Sequence, residues 1–177
     1  MALCAADAFA TEHTGGLGGW WAGAGAHPEK CAVHWFSISV TPESFPSWFT
    51  ELSNSLQSCI SALEALAQLV LLVGRAQAHT APKHCVLRFH QLRDNAGAAA
   101  CSRKQLSMSK PMCFILQATG FYCSKFGVTL SSQHIDGTRN SWADARSRGD
   151  TSGFCPRLRC QFDLHDLLQA PWKDLEA

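Results

Sequence analysis

The segment between Ser55 and Arg75 is apolar on nearly every side of the helix that its spacing predicts. Either Ser55 or Ser58 can cap the start of this helix, which is expected to run to about Arg75. The apolar positions fall all round it: Ile60, Leu63, Leu66, Leu69, Val70 and Leu72. A helix without a polar face has to be buried, so the rest of the chain must fold around this one.

Three strands are predicted before this helix. Ala2–Ala10 is expected to be a short buried strand that carries one Asp. The glycines of Gly15–Gly19 suit a tight connection into a second strand that starts near Gly18. Val33–Val40 alternates in polarity and is rich in β-forming residues, which predicts a third strand. The short links between the three indicate an antiparallel meander.

Strands and helices alternate after the apolar helix. Lys83–Leu92 and Val128–Ile135 predict a fourth and a fifth strand. The expected helices are Ala96–Arg103, Met112–Phe126 closed by Gly127, and a last one capped by Asn140. The order β-β-β-α-β-α-α-β-α indicates an α/β domain with a mixed five-stranded sheet flanked by helices.

The length and composition fit one folded domain. The chain has 177 residues, of which 46% are hydrophobic and 16% charged, so it can bury a real core. We assign 1–149 to this domain and 150–177 to a partly irregular C-terminal tail. The net charge of +1 excludes a strong overall attraction for nucleic acid. Any binding of nucleic acid has to rely on a local charged surface, or has to come from a neighbouring domain.

The cysteines and the hydropathy pattern indicate an intracellular protein. The nine cysteines are odd in number and include no Cys-x-x-Cys pair, which is typical of free thiols in a reducing compartment. No signal peptide is evident, and the cytoplasm and the nucleus both stay open. The apolar stretch Cys59–Val73 is interrupted by Glu64 and Gln68, so we expect it to be too short and too polar to span a bilayer.

Four acidic residues stand in positions that are unusual for their type, and each also has an ordinary interpretation. Asp7 lies within a predicted strand, where Asp is disfavoured, or else at a strand end that faces water. Glu64 lies in the apolar helix, or else on a narrow polar stripe of it. Asp94 ends the fourth strand and can cap the next helix. Asp144 lies in the last helix and can pair with Arg148, four residues on.

Taken together, the four carboxylates suit a metal site. Two divalent cations about 4 Å apart can clamp the attacking and leaving oxygens of a phosphodiester. Such ions need several hard oxygen ligands that converge on one point. The first strand, the first long helix, the end of the fourth strand and the last helix are elements that can bring such ligands together.

The motifs around these residues resemble the ribonuclease H domain that retroelements carry behind their reverse transcriptase. The first strand holds Asp7–Ala10 (DAFA) ahead of a glycine-rich stretch, and the apolar helix holds Leu63–Ala67 (LEALA). Asp94–Ala96 (DNA) follows the fourth strand, and the most specific block is His134–Arg148 (HIDGTRNSWADARSR). Phe9 departs from the small polar residue that the family has after Asp-Ala.

The resemblance implies a metal-dependent endonuclease that cleaves the RNA strand of an RNA–DNA hybrid. It implies that two Mg²⁺ ions, or Mn²⁺, are held by Asp7, Glu64, Asp94 and Asp144. It also implies nucleic-acid-binding residues, which are Asn95, Asn140, Arg139, Arg146 and Arg148. The three arginines can equally be solvated charges that pair with neighbouring acids. The implied partners are the hybrid and a reverse transcriptase domain in a parent polyprotein, with no membrane.

A second hypothesis keeps the fold without the activity. A catalytically silent ribonuclease H-like relic would act as a nucleic-acid-binding or structural module. The intact carboxylates favour the enzyme, whereas the near-neutral charge and Phe9 favour the relic. A third hypothesis, a DNA nuclease or integrase of the same superfold, is disfavoured by the Ala-Asp-x-x-Ser-Arg block, which belongs to the ribonuclease H branch.

Overall fold

The described strands form one five-stranded sheet. The structure, a computed structural model, describes residues 4–23, 27–50, 55–78, 86–93, 107, 109–134 and 140–173. The strands are β1 (Cys4–Ala10), β2 (Gly15–Trp21), β3 (His34–Val40), β4 (Leu87–Arg93) and β5 (Val128–His134). Their order across the sheet is β3-β2-β1-β4-β5, which makes β1 central. β1 to β3 pair antiparallel, and β4 pairs in parallel with both β1 and β5.

Helices pack on both faces of this sheet. They are α1 (Ser47–Thr50), α2 (Ile60–Ala78), α3 (Met112–Phe126), α4 (Ser141–Ser147) and α5 (Leu164–Lys173). α2, α3 and α5 contribute to the main core, whereas α4 contributes to a second, smaller core. The predicted α/β architecture with a mixed sheet is confirmed. The helix predicted at Ala96–Arg103 lies outside the described residues.

Alternation along β1 assigns its side chains to the two cores. The even-numbered residues of β1 belong to the main core beneath α2, and Ala5 belongs to the smaller core together with Ala143 of α4. Successive residues of a strand point to opposite faces of the sheet. Asp7 and Phe9 therefore lie on the same face as Ala5, which is the face that α4 covers.

The glycines of β2 are part of the strand, not of a turn before it. β2 begins at Gly15, so the prediction of a tight connection into a strand near Gly18 is wrong. The reason is the close approach of α4. A Cβ at Gly16 would overlap the Ser147 carbonyl oxygen, and a Cβ at Gly18 would overlap the backbone of Arg146 and Ser147. Glycine is needed here because a helix backbone rests directly on the strand.

The apolar helix is longer than the sequence indicated. A short 3-10 turn, Leu56–Cys59, leads into α2, and the combined helical stretch Leu56–Ala78 has 23 residues. By length and composition alone this stretch could cross a membrane, so the expectation that it is too short and too polar is wrong. In the structure, however, 72% of the most apolar part of this stretch is buried inside the protein. It packs against β1, β2 and α3, as the core helix of an α/β domain does.

The residues after Gly149 fold back onto both cores. Phe154 belongs to the smaller core beside α4, and three leucines of α5 belong to the main core. Between them the chain runs beside β3, where the Cys160 amide donates a hydrogen bond to the Trp35 carbonyl at 2.8 Å. The described part of the segment 150–177 therefore helps to pack the sheet on both faces.

Candidate metal and nucleic-acid site

Asp7 lies in the middle of the central strand, almost closed off from solvent. Its side chain is 7% exposed, and its partner across the antiparallel ladder is Gly18 of β2. The predicted position within a strand is confirmed, and the alternative of a strand end facing water is wrong. A carboxylate in such a place is costly unless hydrogen bonds, an opposite charge or a metal ion satisfy it. Asp7 is therefore the strongest indication of a functional site in the described residues.

The packing of α4 places Asp144 on the Asp7 side of the sheet. α4 contacts β1 and β2, and its last residues rest on Gly16 and Gly18. In the β1–β2 ladder Gly18 is the partner of Asp7. α4 therefore crosses the sheet at the level of Asp7, and Asp144 lies one helical turn before the point of contact at Ser147.

A chain of contacts shows which face the Asp144 carboxylate occupies. The Arg148 Nε donates a hydrogen bond to the Asp144 Oδ1 at 2.9 Å, as the ordinary interpretation of this pair expects. The same guanidinium lies 5.3 Å from the centre of the Phe9 ring. Because Phe9 and Asp7 share one face of β1, the two aspartates lie on the same side of the sheet. The ion pair is half exposed and contributes little stability.

Glu64 approaches the same level of β1 from the opposite face. The Gln68 side chain donates to the Ala6 carbonyl at 3.0 Å, and the Arg75 guanidinium contacts the Cys4 sulfur at 3.2 Å. α2 therefore runs antiparallel to β1. Glu64 lies one helical turn before Gln68, about 6 Å along the axis, which corresponds to about two residues of a strand. Glu64, which is half buried, is thus at the level of Asp7 and Ala8.

Among the described residues, β1 and β4 are joined by the parallel pair Ala5–Leu92, and β4 is described as far as Arg93. Asp7 and Glu64 approach the central strand from opposite faces of the sheet. Three predicted site residues, Asp94, Asn95 and Arg139, lie outside the described residues.

The described donors fit a divalent metal by their chemistry but do not complete a site by themselves. All of them are carboxylates, the hard oxygen ligands that Mg²⁺ and Mn²⁺ take. Within the described ranges, no three His, Cys, Asp or Glu side chains are grouped closely enough to hold a metal ion. Asp7, Glu64 and Asp144 all lie in those ranges, so the structure does not gather these three predicted ligands into one group.

Asn140 is at the start of α4, as predicted, but it does not cap the helix with its side chain. The residue is 1% exposed, and its backbone carbonyl accepts hydrogen bonds from the amides of Ala143 and Asp144. No side-chain capping bond to α4 is formed. Because it is buried, Asn140 can orient the Asp144 helix, but it offers no surface to a nucleic acid, so that predicted contact is contradicted.

Arg146 is also buried, which contradicts its predicted role at the phosphates. Its side chain is 0% exposed and is covered by the rings of Trp35 and Phe154. Burial lowers the pKa of the Arg146 guanidinium, and the nearby Asp150 carboxylate offsets part of this shift. Sequence reasoning missed this because Trp35 is more than 100 residues away in the chain, and the short link from Arg146 to Phe154 has no pattern that predicts their contact. Arg148, in contrast, is exposed, and its contact with nucleic acid stays a prediction.

The comparisons with known proteins rest on structure alone. No protein-family model matches the chain, and neither does any curated protein. The solved ribonuclease H1 of the halophilic archaeon Halobacterium salinarum superposes with a TM-score of 0.52 at 12% identity, over 83% of this chain and 94% of that one. The N-terminal ribonuclease H domain of Rv2228c from Mycobacterium tuberculosis, solved as a fusion with maltose binding protein, gives 0.56 at 13%, over 84% and 92%.

The chain has a ribonuclease H-like fold. Identities this low show the fold and leave activity to the site. The family resemblance drawn from the sequence motifs is thereby confirmed at the level of the fold.

Proposed function

We propose that this chain is a metal-dependent endonuclease that cleaves the RNA strand of an RNA–DNA hybrid. The observation that carries the proposal is Asp7, a carboxylate 7% exposed on the central strand, on the face that the Asp144 helix covers. An apolar residue at such a buried position would avoid the cost of desolvating a charge. A carboxylate on the Asp144 side of a ribonuclease H-like sheet supplies the hard oxygen that a divalent ion takes, and this supports the proposal.

The sequence motif Asp94–Ala96, which follows β4 directly, supports Asp94 as a further ligand. We therefore propose that two Mg²⁺ ions, or Mn²⁺ in their place, are held by Asp7, Glu64, Asp94 and Asp144.

The protein's own contribution to the reaction is to hold these groups in place. When bound, the divalent ions supply Lewis acidity at the scissile phosphate. The β1–β2 ladder fixes the backbone of Asp7, and the packing of α4 on Gly16 and Gly18 fixes that of Asp144. Preorganised groups of this kind do not have to be rearranged when charge develops on the phosphate.

Substrate contacts are proposed at the exposed edge of the site. The Arg148 guanidinium lies beside Asp144 and can donate to a phosphate oxygen of the hybrid. We propose Asn95 and Arg139 as further contacts, and contacts with the 2′-hydroxyl as the basis for choosing RNA. The net charge of +1 supports a neighbouring domain that carries part of the binding. The motif resemblance proposes a reverse transcriptase domain of a retroelement polyprotein, in an intracellular setting.

One observation favours the silent relic as a second candidate. The Arg148 guanidinium already occupies the Asp144 carboxylate, and the described residues alone do not form a three-donor group. If that pair persisted in the presence of metal, the fold would bind nucleic acid without cutting it. The relic and the enzyme therefore predict the same binding and different chemistry.

A hybrid-cleavage assay separates the two. Purified protein is incubated with Mg²⁺ and an RNA–DNA hybrid labelled on the RNA strand, beside the variants Asp7→Asn and Asp94→Asn. We expect the wild type to cut the RNA and both variants to match the buffer blank, because an amide is a neutral and weaker metal ligand. The matched control is Asp166→Asn, an exposed acid of α5 on the other face of the sheet, which is expected to cut like the wild type.

Equal background in the wild type and in Asp94→Asn would contradict the enzyme. Hybrid binding, followed by fluorescence anisotropy, then tests the relic. Cutting of duplex DNA in the same assay, lost in the same variants, would instead move the assignment to the DNA nucleases of this superfold.

A further inference from the structure

The most unusual side chain in the described part of the protein is Arg146. All three of its guanidinium nitrogens are buried, and none has a hydrogen-bond partner among the described residues. Its guanidinium carbon lies 4.0 Å from the centre of the Phe154 ring and 5.6 Å from that of Trp35. Its closest acid is Asp150, whose Oδ1 is 4.0 Å from Nη2. The charge is therefore held mainly by two aromatic faces.

Burying this charge costs free energy, and the contacts of the guanidinium have to offset that cost. A guanidinium without hydrogen bonds in an apolar setting is strongly unfavourable. A desolvated cation over an aromatic ring recovers about 2 kcal/mol or more. Arginine keeps its charge under such conditions because its intrinsic pKa is so high. A leucine or methionine would fill the same space without this cost, which indicates that the guanidinium does more than fill volume.

The two rings connect α4 to separate parts of the fold. Trp35 belongs to β3, and its indole Nε1 donates to the Cys155 carbonyl at 2.8 Å. Phe154 belongs to the segment after α4 and lies 5.8 Å from the Trp142 ring of α4. Arg146 thus joins three elements at once: its own helix, the edge strand of the sheet, and the segment 150–160.

α4 needs such an anchor because it is short. With seven residues it has few internal hydrogen bonds, and a helix of this length has no stability of its own. Its contact with glycines of β2 sets its distance from the sheet, but glycines have no side chains that could set its rotation. The Arg146 guanidinium packs against the Phe154 and Trp35 rings, which meet edge to face, and this contact, called here the aromatic clamp, supplies that constraint.

We propose that Arg146 is a positioning residue for the candidate site: its guanidinium, packed against Trp35 and Phe154, fixes the rotation of α4 and so keeps the Asp144 carboxylate on the Asp7 side. This inference rests on the proposed function, because Asp144 matters only if it holds metal. It gives the segment after Gly149 a role in the site, although none of its residues touches Asp144 among the described contacts.

The test compares Arg146→Met with Arg159→Met in the full chain. Arg159 is a matched control, because its guanidinium lies 5.4 Å from the same Trp35 ring but the residue is exposed. We expect Arg146→Met to fold, because removing a buried charge without hydrogen bonds is often neutral or stabilising. Its kcat for hybrid cleavage is expected to fall about tenfold to a hundredfold through misplacement of a ligand, with an unchanged KM. Arg159→Met is expected to keep both constants.

Wild-type kcat in Arg146→Met would overturn the proposal, and so would a raised KM at unchanged kcat, which would make Arg146 a binding residue. If Arg146→Met does not fold, Arg146→Lys, which lacks the planar fork that stacks on the rings, is measured in its place with the same two criteria.

Amide hydrogen exchange keeps this test independent of the proposed function. If the wild type does not cut hybrid at all, the proposed function has failed. Amide exchange in α4 then tests by itself whether Arg146 holds this helix in place. Faster exchange of Ser141–Ser147 in Arg146→Met, but not in Arg159→Met, supports the clamp. Unchanged exchange in both overturns it.

Discussion

Gly18 of β2 lies directly beneath the backbone of Ser147, so close that a Cβ on Gly18 would overlap the Ser147 amide nitrogen. Gly18 is also the ladder partner of Asp7. One contact between a glycine of β2 and a helix backbone therefore sets the distance between the elements that carry Asp7 and Asp144. The glycine-rich strand is part of the site even though it supplies no functional group.

The first prediction concerns this contact. Gly18→Ala is expected to lower the free energy of unfolding by at least about 2 kcal/mol, because backbone atoms cannot yield to the added methyl group. The measurement is urea denaturation followed by circular dichroism. Gly23→Ala is the control, since a Cβ at Gly23 meets nothing within 4 Å. An unchanged midpoint in Gly18→Ala would contradict the close packing of α4.

Substitution of a second glycine, Gly120, is expected to stabilise the protein instead. Gly120 lies on the exposed side of α3, away from any neighbour that a Cβ could meet. Gly120→Ala is expected to raise the free energy of unfolding by about 0.5–1 kcal/mol, because alanine loses less backbone entropy in a helix. Thermal unfolding checks this. A destabilised variant would mean that the residue is covered in solution.

The sequence predicts those elements whose signals are local. Met112–Phe126 was expected to end at Gly127, and it does so because Gly127 adopts the left-handed conformation, with φ of 62°. Strand alternation likewise predicted β3 to within one residue. Glycines 15–19 misled the same reasoning, since they serve a contact with α4, more than 120 residues away. A local pattern cannot distinguish a glycine needed for a turn from one needed for close packing.

The candidate site shows the same contrast between local signals, which the sequence reveals, and tertiary contacts, which it does not. Asp7 and Asp144 were placed correctly because their strand and helix were predicted correctly, and the fold then brings them to one side of the sheet. Arg146 was misplaced because charge normally predicts exposure. Its burial depends on Trp35 and Phe154, and only the tertiary structure brings those rings to it.

A third prediction concerns Arg148. Its ion pair with Asp144 is half exposed, so Arg148→Ala is expected to change the free energy of unfolding by less than about 0.5 kcal/mol. If it contacts a phosphate, hybrid affinity falls and the slope of log affinity against log salt decreases by about 1. Anisotropy titrations at several salt concentrations measure this, with the exposed Arg157→Ala as control. An unchanged slope would remove Arg148 from the interface.

A fourth prediction uses the free cysteines. The cysteines that the structure describes are free thiols, as predicted, with Cys4 buried and Cys31 exposed. Burial raises the pKa of the Cys4 thiol, and the nearby Arg75 offsets part of the shift. Since the thiolate is the reactive form, less of it is present at a given pH. Iodoacetamide should therefore modify Cys31 well before Cys4 near neutral pH, as followed by peptide mass spectrometry.

The control for the cysteine experiment is the same reaction in denaturant, where both thiols should react alike. Equal rates at Cys4 and Cys31 in the native protein would contradict the burial of β1 beneath α2.

If acidic side chains from separate elements meet around bound metal beside Asp7, crystals grown with Mn²⁺ should show it, because anomalous scattering locates the ion without reference to activity. We expect an anomalous peak within about 2.0–2.3 Å of an Asp7 carboxylate oxygen, with Asp94 and Asp144 around the same site. A peak bound elsewhere, or an Asp144 that stays paired with Arg148 while no Mn²⁺ binds at Asp7, would contradict it.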